Sequence, residues 1–365
     1  MLIKGFIIDD TDLIKTGHTF EFIGRVFNHV IGKSLFGFKL LALGYWDGKS
    51  LIATDFSLHR EKGKKGNYGI SKKEKMSQFK KKRDEKAVSG NRIEELDLKK
   101  TEVAASMIKR AVKNGLKASY VLMDSWFTND TIIKAVRTID DGAMHVLGMC
   151  RIDKRKYKVY GRELNAHQII TRMERKYSKY SRKHKSQYIP VVADYKGTKI
   201  KLFFIRYRNA KDWTLLLTTN LELSFVQSLE LYQIRWTIEV LFKECKQYLR
   251  LGTCQNTDFD GQIADATLVF ITHTILTLQR RFEAYETMGD LFREAQQNLL
   301  ELTLWQRILN VFLKMLKQLM DIFNIDIDET IERVLQNGKS YNKLIEILKV
   351  LDKKENIDFF DKIAA

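Results

Sequence analysis

The chain has 365 residues, 44% of them hydrophobic and 21 of them Phe, which excludes general disorder and leaves room for one large domain or two ordinary ones. Lys and Arg number 63 against 45 Asp and Glu, for a net charge of +18. A surplus of that size favours a polyanionic partner, because each cation that neutralises a phosphate releases a counterion. Cys150, Cys245 and Cys254 show no CxxC and no His/Cys metal spacing, so the reading is reduced, cytoplasmic thiols rather than a disulfide frame or a zinc site. The N-terminus "MLIKGFIIDDTD" runs into acids too soon for a signal peptide. The longest apolar stretch, "IADATLVFITHTILTL" from Ile263, contains Asp265 and His273. It is shorter than the ~20 apolar residues a membrane span needs, which predicts a buried helix and no membrane partner.

In chain order, residues 2–8 (LIKGFII) predict a short strand ending at Asp9, with Asp10 and Asp12 just beyond. Residues 34–46 and 50–58 are strand-like and separated by "DGK", a hairpin turn signal. Residues 60–86 form a Lys-rich tract of low hydrophobicity, read as a mobile basic loop that meets backbone phosphates or simply solvent. Residues 101–115 predict a helix stopped by Gly115, and "ASYVLMD" a strand whose last residue is Asp124. A helix at 128–139 and a strand at 143–152 follow, giving β-β-β-α-β-α-β, the order of the RNase H-like α/β fold.

Residues 153–222 change character, with Lys, Arg and Tyr interleaved at strand-like spacing around the single proline, Pro190. Such a composition suits nucleic-acid contact, although an edge-protected sheet uses Lys as well. Ser224 with Gln227 three residues on is a capping-box pattern that opens a helix carrying "LYQIRWTIEVLFKECKQYLRLG". Later helices are expected at 262–282, 301–319, 328–336 and 341–352. The chain thus reads as the first part of a catalytic core at 1–152 and a β-rich insertion at 153–222. The second part of the core, with the Glu helix, falls at 223–282, and a helical C-terminal region at 283–365.

Three acids stand out by position: Asp9 and Asp124 just past strands, and Glu239 inside a helix. Phosphodiester hydrolysis or transfer calls for two hard cations, one at the attacking and one at the leaving oxygen, and carboxylates with water suit Mg²⁺. Any one of these acids alone reads as an ordinary capping or surface acid. At roughly 100° per residue, Tyr232, Arg235, Glu239 and Lys246 share one helical stripe about 60° wide. A solvent-facing polar stripe is the alternative, but this one lacks the i,i+4 Glu–Lys ladder such faces carry.

Tyr232-x2-Arg235-x3-Glu239-x6-Lys246 resembles the Tyr-Arg-Glu-Lys signature of a large group of bacterial insertion-sequence DDE transposases. "FIIDDT" looks like that group's first-aspartate strand, "YVLMDSWF" like its second, and "DWTLLLTTNLELS" like the end of its β-rich insertion; the resemblance covers most of residues 1–280. It implies an RNase H-like mixed sheet flanked by helices, interrupted by a β-rich insertion and followed by a helical region. It also implies that Asp9, Asp124 and Glu239 hold two Mg²⁺ ions, with Mn²⁺ able to substitute. Tyr232, Arg235 and Lys246 would contact end phosphates near the cleaved bond, and Trp213 sits where related enzymes keep an indole that stacks on a flipped base. Asp9 is preferred over Asp10 and Asp12 because it directly follows "GFII".

The implied activity is cleavage of the 3′ ends of a mobile element and strand transfer by a homodimer on paired double-stranded DNA ends, through a hairpin intermediate. Members of the group usually carry a helical DNA-binding segment ahead of the first catalytic strand, which here starts at residue 2; a truncated copy, or end recognition made elsewhere, is the expectation. A plain Mg²⁺ nuclease of the same fold and an inactive DNA-binding relic are the rival readings.

Overall fold

The computed structural model describes residues 3–83, 90–208, 210–282 and 287–293, together with Gly338 and Asn342. The chain divides into a unit spanning Met1–Leu291 and another spanning Phe292–Ala365, and every described strand belongs to the first. The helices expected at 301–319 and 328–336, and all but Asn342 of the one at 341–352, lie outside the described residues.

The apolar start of the chain forms β1 (Gly5–Ile14), followed by β2 (Gly24–Asn28), β3 (Lys33–Trp46) and β4 (Leu51–His59). β1 does not end at Ile8 as the sequence suggests. Its partner β3 is long enough to pair antiparallel with it out to Ile14↔Gly37. The charges of that extension are neutralised where they stand, Asp12 by Lys39 across the ladder and Asp10 by Lys100. The β3–β4 hairpin is closed by Asp47, whose Oδ1 accepts the Lys49 and Ser50 N–H groups at 2.9 Å, with Gly48 at φ +105°.

Three helices follow: α1 (Lys72–Met76), α2 (Gly90–Glu95) and α3 (Lys100–Lys113). The basic tract expected as a mobile loop therefore contains α1, and its end is tied to the body. Arg83 pairs with Glu21 at 2.5 Å and with Asp258 and Asp260 at 3.1 Å. Then come β5 (Tyr120–Met123), α4 (Asp130–Arg137), a 3₁₀ turn (Ile139–Gly142) and β6 (His145–Cys150). The basic segment supplies β7 (Lys156–Val159), β8 (Arg162–Asn165), α5 (Ala166–Tyr177), β9 (Lys179–Ser181), β10 (Ser186–Tyr195), β11 (Thr198–Tyr207) and β12 (Thr214–Thr218). Three helices end this unit's main body: α6 (Phe225–Gln233), α7 (Trp236–Tyr248) and α8 (Phe259–Phe282).

All twelve strands share one sheet in the order β2-β3-β1-β5-β6-β12-β11-β10-β7-β8, with β4 also on β3 and β9 on β10. β1, β5 and β6 are mutually parallel, and the other pairings are antiparallel. This is a mixed α/β sheet flanked by helices, consistent with an RNase H-like transposase fold.

Strand alternation divides the sheet into two apolar faces. Phe6 and Ile8 of β1, with Val121 and Met123 of β5, pack with residues of α3, α4 and α5. Ile7 and Leu13, with Tyr120 and Leu122, pack with residues of α6, α7 and α8. α8 is not buried all round, contrary to the sequence reading. Phe259, Ala266, Val269, Phe270 and Leu276 are buried, whereas Leu268, Ile271 and Ile275 are exposed. Its span Phe259–Arg281 is long and apolar enough to cross a membrane by length and composition alone, yet it lies against β4 and α7.

Candidate active site

The parallel pairing of β1 with β5 ends at Ile8↔Met123, so Asp9 and Asp124 are the next residues of two adjacent strands. Asp9 lies inside β1, not past its end. Both acids follow the parity of Ile7 and Leu122, the residues that face α6–α8. Asp10 and Asp12 have the opposite parity. Asp10 pairs with Lys100 of α3, and Asp12 pairs with Lys39 and accepts a 3.0 Å hydrogen bond from Asn28. Parity thus separates three acids that lie within four residues of one another.

Asp124 shapes its own loop. Its Oδ1 accepts the N–H groups of Trp126 at 2.9 Å and Phe127 at 3.2 Å, and its carbonyl accepts the Thr128 hydroxyl at 2.7 Å. Gly148 of β6 permits this loop, because a Cβ there would stand 2.3 Å from Thr128 Oγ1. The Trp126 indole, exposed at 42%, has the Lys100 ammonium 4.1 Å from its ring centroid. Neither residue is singled out by spacing in the sequence.

The signature segment is not one continuous helix. α6 opens with the expected capping box at Ser224 and Gln227, and the ladder is then interrupted at Ile234 and Arg235. There the Ile234 and Arg235 N–H groups reach back three residues, to Leu231 and Tyr232. The tighter turn still leaves all four signature residues directed at β1 and its neighbours. Arg235 donates from Nη1 to Asp9 Oδ2 at 3.0 Å and from Nη2 to Glu239 Oε1 at 2.5 Å. Among the described residues its buried Nε has no hydrogen-bond partner. Lys246 donates to the Thr11 hydroxyl at 2.7 Å, and Thr11 shares the parity of Asp9. The Arg235 guanidinium lies 5.7 Å from the Tyr232 ring centroid.

The electrostatics single out Asp9. Its carboxyl is pushed up from 3.8 to about 7, first by burial and then by the charge of Asp124, against the opposing pull of the Asp10 N–H and Arg235. Burial also pushes the Tyr232 phenol up to about 12, which keeps it a hydrogen-bond donor at neutral pH. Burial lowers Lys246, opposed by Asp12. The donor set of Asp9, Asp124 and Glu239 is carboxylate only, which suits a hard cation, and Asp9 is incompletely compensated by the one guanidinium. Among the described residues, however, no group of three or more His, Cys, Asp or Glu is close enough to hold a metal ion. Arg235 spans two of the three acids instead.

Trp213 stands apart. It precedes β12 and packs on the face of α3–α5, opposite to that of Asp9. The Arg206 guanidinium covers its ring at 4.6 Å and is itself held by Glu174 at 2.8 Å and Gln187 at 2.6 Å.

Residues 97–275 match the family described as the transposase DDE domain. The matched span contains Asp124, Glu239 and the rest of the signature but not Asp9. No curated protein matches the chain significantly. The family match supports a transposase function and a nucleic-acid substrate.

Proposed function

We propose that this chain is a DDE transposase that cleaves the ends of a mobile element and transfers the freed strand to target DNA. The observation that supports the reading is Arg235 bridging Asp9 and Glu239, with the charge of Asp124 acting on Asp9, in a chain whose residues 97–275 match a transposase domain. Asp9, Asp124 and Glu239 would hold the Mg²⁺ ions, with Mn²⁺ as a substitute; when bound, those ions lower the pKa of the attacking group and stabilise the leaving oxygen.

The chain's own residues orient the DNA. Arg235, whose Nη1 and Nη2 each keep a second N–H beyond those given to Asp9 and Glu239, would donate to a non-bridging phosphate oxygen from a fixed planar group, a geometry Lys cannot reproduce. Tyr232, held in its phenol form, donates a single hydrogen bond, and Lys246 adds a point charge two turns from Glu239. In the first step water attacks the end phosphodiester, the bond to the 3′ oxygen breaks, and a 3′-OH is released. In the second that 3′-OH attacks a target phosphodiester, exchanging one ester for another without a protein–DNA covalent bond. The group's habit of working as a homodimer on paired ends, through a hairpin, belongs to the same proposal.

Purified protein with a 3′-OH end, a target plasmid and Mg²⁺ tests the reading. Joined products are expected, cleavage without joining points to a nuclease, and a mobility shift without either points to a relic. Glu239→Gln is expected to abolish joining while DNA binding persists; joining by that variant would remove Glu239 from the metal set.

A further inference from the structure

Residues 62–75 carry six lysines, Lys62, Lys64, Lys65, Lys72, Lys73 and Lys75, all of them exposed and none in an ion pair among the described residues. A block of like charges repels itself and tends to stay disordered, yet this one is anchored along its length. The Tyr68 carbonyl accepts the Arg25 N–H at 2.8 Å, and the Tyr68 hydroxyl donates to Asp97 at 3.0 Å. Ile70 is buried, and Ser71 and Glu74 form a capping box at the start of α1. The carboxylates at these anchors are taken up by arginines, Asp97 by Arg60 at 2.6 Å and Glu74 by Arg25 at 3.7 Å. The fold therefore holds in place a cationic surface that it does not neutralise. A DNA backbone supplies the missing charge, with release of a counterion for each phosphate that a lysine reaches.

Strand parity puts this tract on the face of the carboxylates. Asp9, Thr11 and Leu13 pair with Ala42, Leu40 and Phe38 of β3, which pack on the side of α6–α8. Phe36 continues that parity and pairs with Arg25 of β2. The Arg25 guanidinium lies 3.9 Å from the Phe36 ring centroid and donates to the Gly69 carbonyl at 3.0 Å. Tyr68 and Ile70 belong to the same apolar cluster as Ile7 and Leu13. The tract thus covers the end of the sheet beyond Asp9, on the side of Asp9. α7 leads toward it, since Arg235 meets Asp9, Lys246 meets Thr11, and Gly252 just past the helix lies against Leu13. From Asp9 to Arg25 the path is two strand steps and six residues along the strands, roughly 22 Å, or about six to seven base pairs of duplex.

From this juxtaposition we infer that the lysines of residues 62–75 grip the backbone of the same duplex whose end lies at Asp9, Asp124 and Glu239. The inference rests on the transposase reading and adds to it the direction of the duplex, from β1 across β3 toward β2, with Lys246 on the way. Because the contacts are to phosphates, they position the DNA without reading its sequence.

Fluorescence anisotropy on the full chain in EDTA, with a labelled 20-base-pair duplex across a salt series, tests this. Two triple variants probe the tract: Lys62→Ala, Lys64→Ala, Lys65→Ala, and Lys72→Ala, Lys73→Ala, Lys75→Ala, the second in a helix that Ala favours. Each is expected to weaken binding ~10-fold or more and to flatten the salt dependence by about 0.9 per lost phosphate contact. A charge-matched control on the opposite face, Lys109→Ala and Lys113→Ala of α3 with Lys117→Ala just after it, is expected to leave the slope close to wild type. Saturation is expected at one duplex per chain, and adding Lys246→Ala to either tract triple is expected to flatten the slope further. Tract slopes equal to the control's, or a second duplex per chain whose binding Lys246→Ala leaves untouched, would overturn the inference. Wild type that binds but does not join strands counts against the transposase reading and leaves the tract standing. Joining by wild type, with tract variants that bind like the control, sinks the tract alone.

Discussion

Replacing Asp9 with Asn is expected to stabilise the protein at neutral pH, which is the reverse of the usual effect of removing a buried ion-pair partner. Asp9 titrates near 7 in the folded chain instead of 3.8. The unfolded chain therefore releases this proton between about pH 4 and 7 while the folded chain still holds it. The sign follows: stability is fully present below pH 4 and declines as pH rises toward 7, because the unfolded state binds fewer protons in that window. At about 1.36 kcal/mol per pH unit the loss approaches ~4 kcal/mol, and loss of the Arg235 hydrogen bond in the variant trims this by ~1–2 kcal/mol. Asn cannot ionise, so it escapes the decline. Urea denaturation of wild type and Asp9→Asn from pH 4 to 8, in EDTA, measures the difference directly. The variant is expected to match wild type or fall below it near pH 4 and to exceed it by roughly 2–3 kcal/mol above pH 7. A gap that does not change with pH would refute the argument, since it would mean that the folded state accommodates the Asp9 charge without cost.

Further outcomes follow from the same geometry. Arg235→Gln frees an oxygen on Asp9 and one on Glu239 and removes a like charge from any cation nearby. Mn²⁺ affinity without DNA, read by paramagnetic resonance, is expected to rise ~10-fold or more, while affinity for duplex DNA falls. Trp213→Ala is expected to lower stability by ~2–4 kcal/mol in urea denaturation and to leave base-specific DNA contacts unchanged; a normal midpoint with weakened DNA binding would restore the stacking role implied by the resemblance. Gly148→Ala forces a Cβ to within 2.3 Å of Thr128 Oγ1, so ~1–3 kcal/mol of stability and most strand joining are expected to be lost together.

The residues that act at short range were the legible part of the sequence. The capping box at Ser224 and the hairpin turn at Asp47–Lys49 need only their neighbours, and each appears where the pattern puts it, while β5 stops at Met123, one residue short of the expected Asp124. The end of β1 was not legible, because it depends on how far a partner strand extends. β3 continues the pairing to Ile14, so a run of acids that looks like a strand terminus is interior. The two tightened turns at Ile234 and Arg235 were hidden for a related reason. Their residues are acceptable in any helix, and the interruption shows only in which carbonyl each N–H finds. Trp213 has the same ambiguity, since an indole beside a strand looks alike from the sequence on either face.

What decides the site is therefore strand parity together with one guanidinium. Asp9, Asp10 and Asp12 have similar sequence surroundings, yet only Asp9 turns toward α7, and each of the other two meets a lysine. A neutralised carboxylate has little left to offer a cation, so the lysines remove Asp10 and Asp12 from contention as effectively as parity does. Asp9 keeps a raised proton affinity because its two charged neighbours oppose one another, Asp124 pushing and Arg235 pulling, in a buried setting. Arg235 is also the residue that ties Asp9, near the start of the chain, to Glu239, 230 positions later in the sequence. Holding two acids from one side chain takes the two separate Nη donors of a guanidinium, which neither Lys nor Gln supplies.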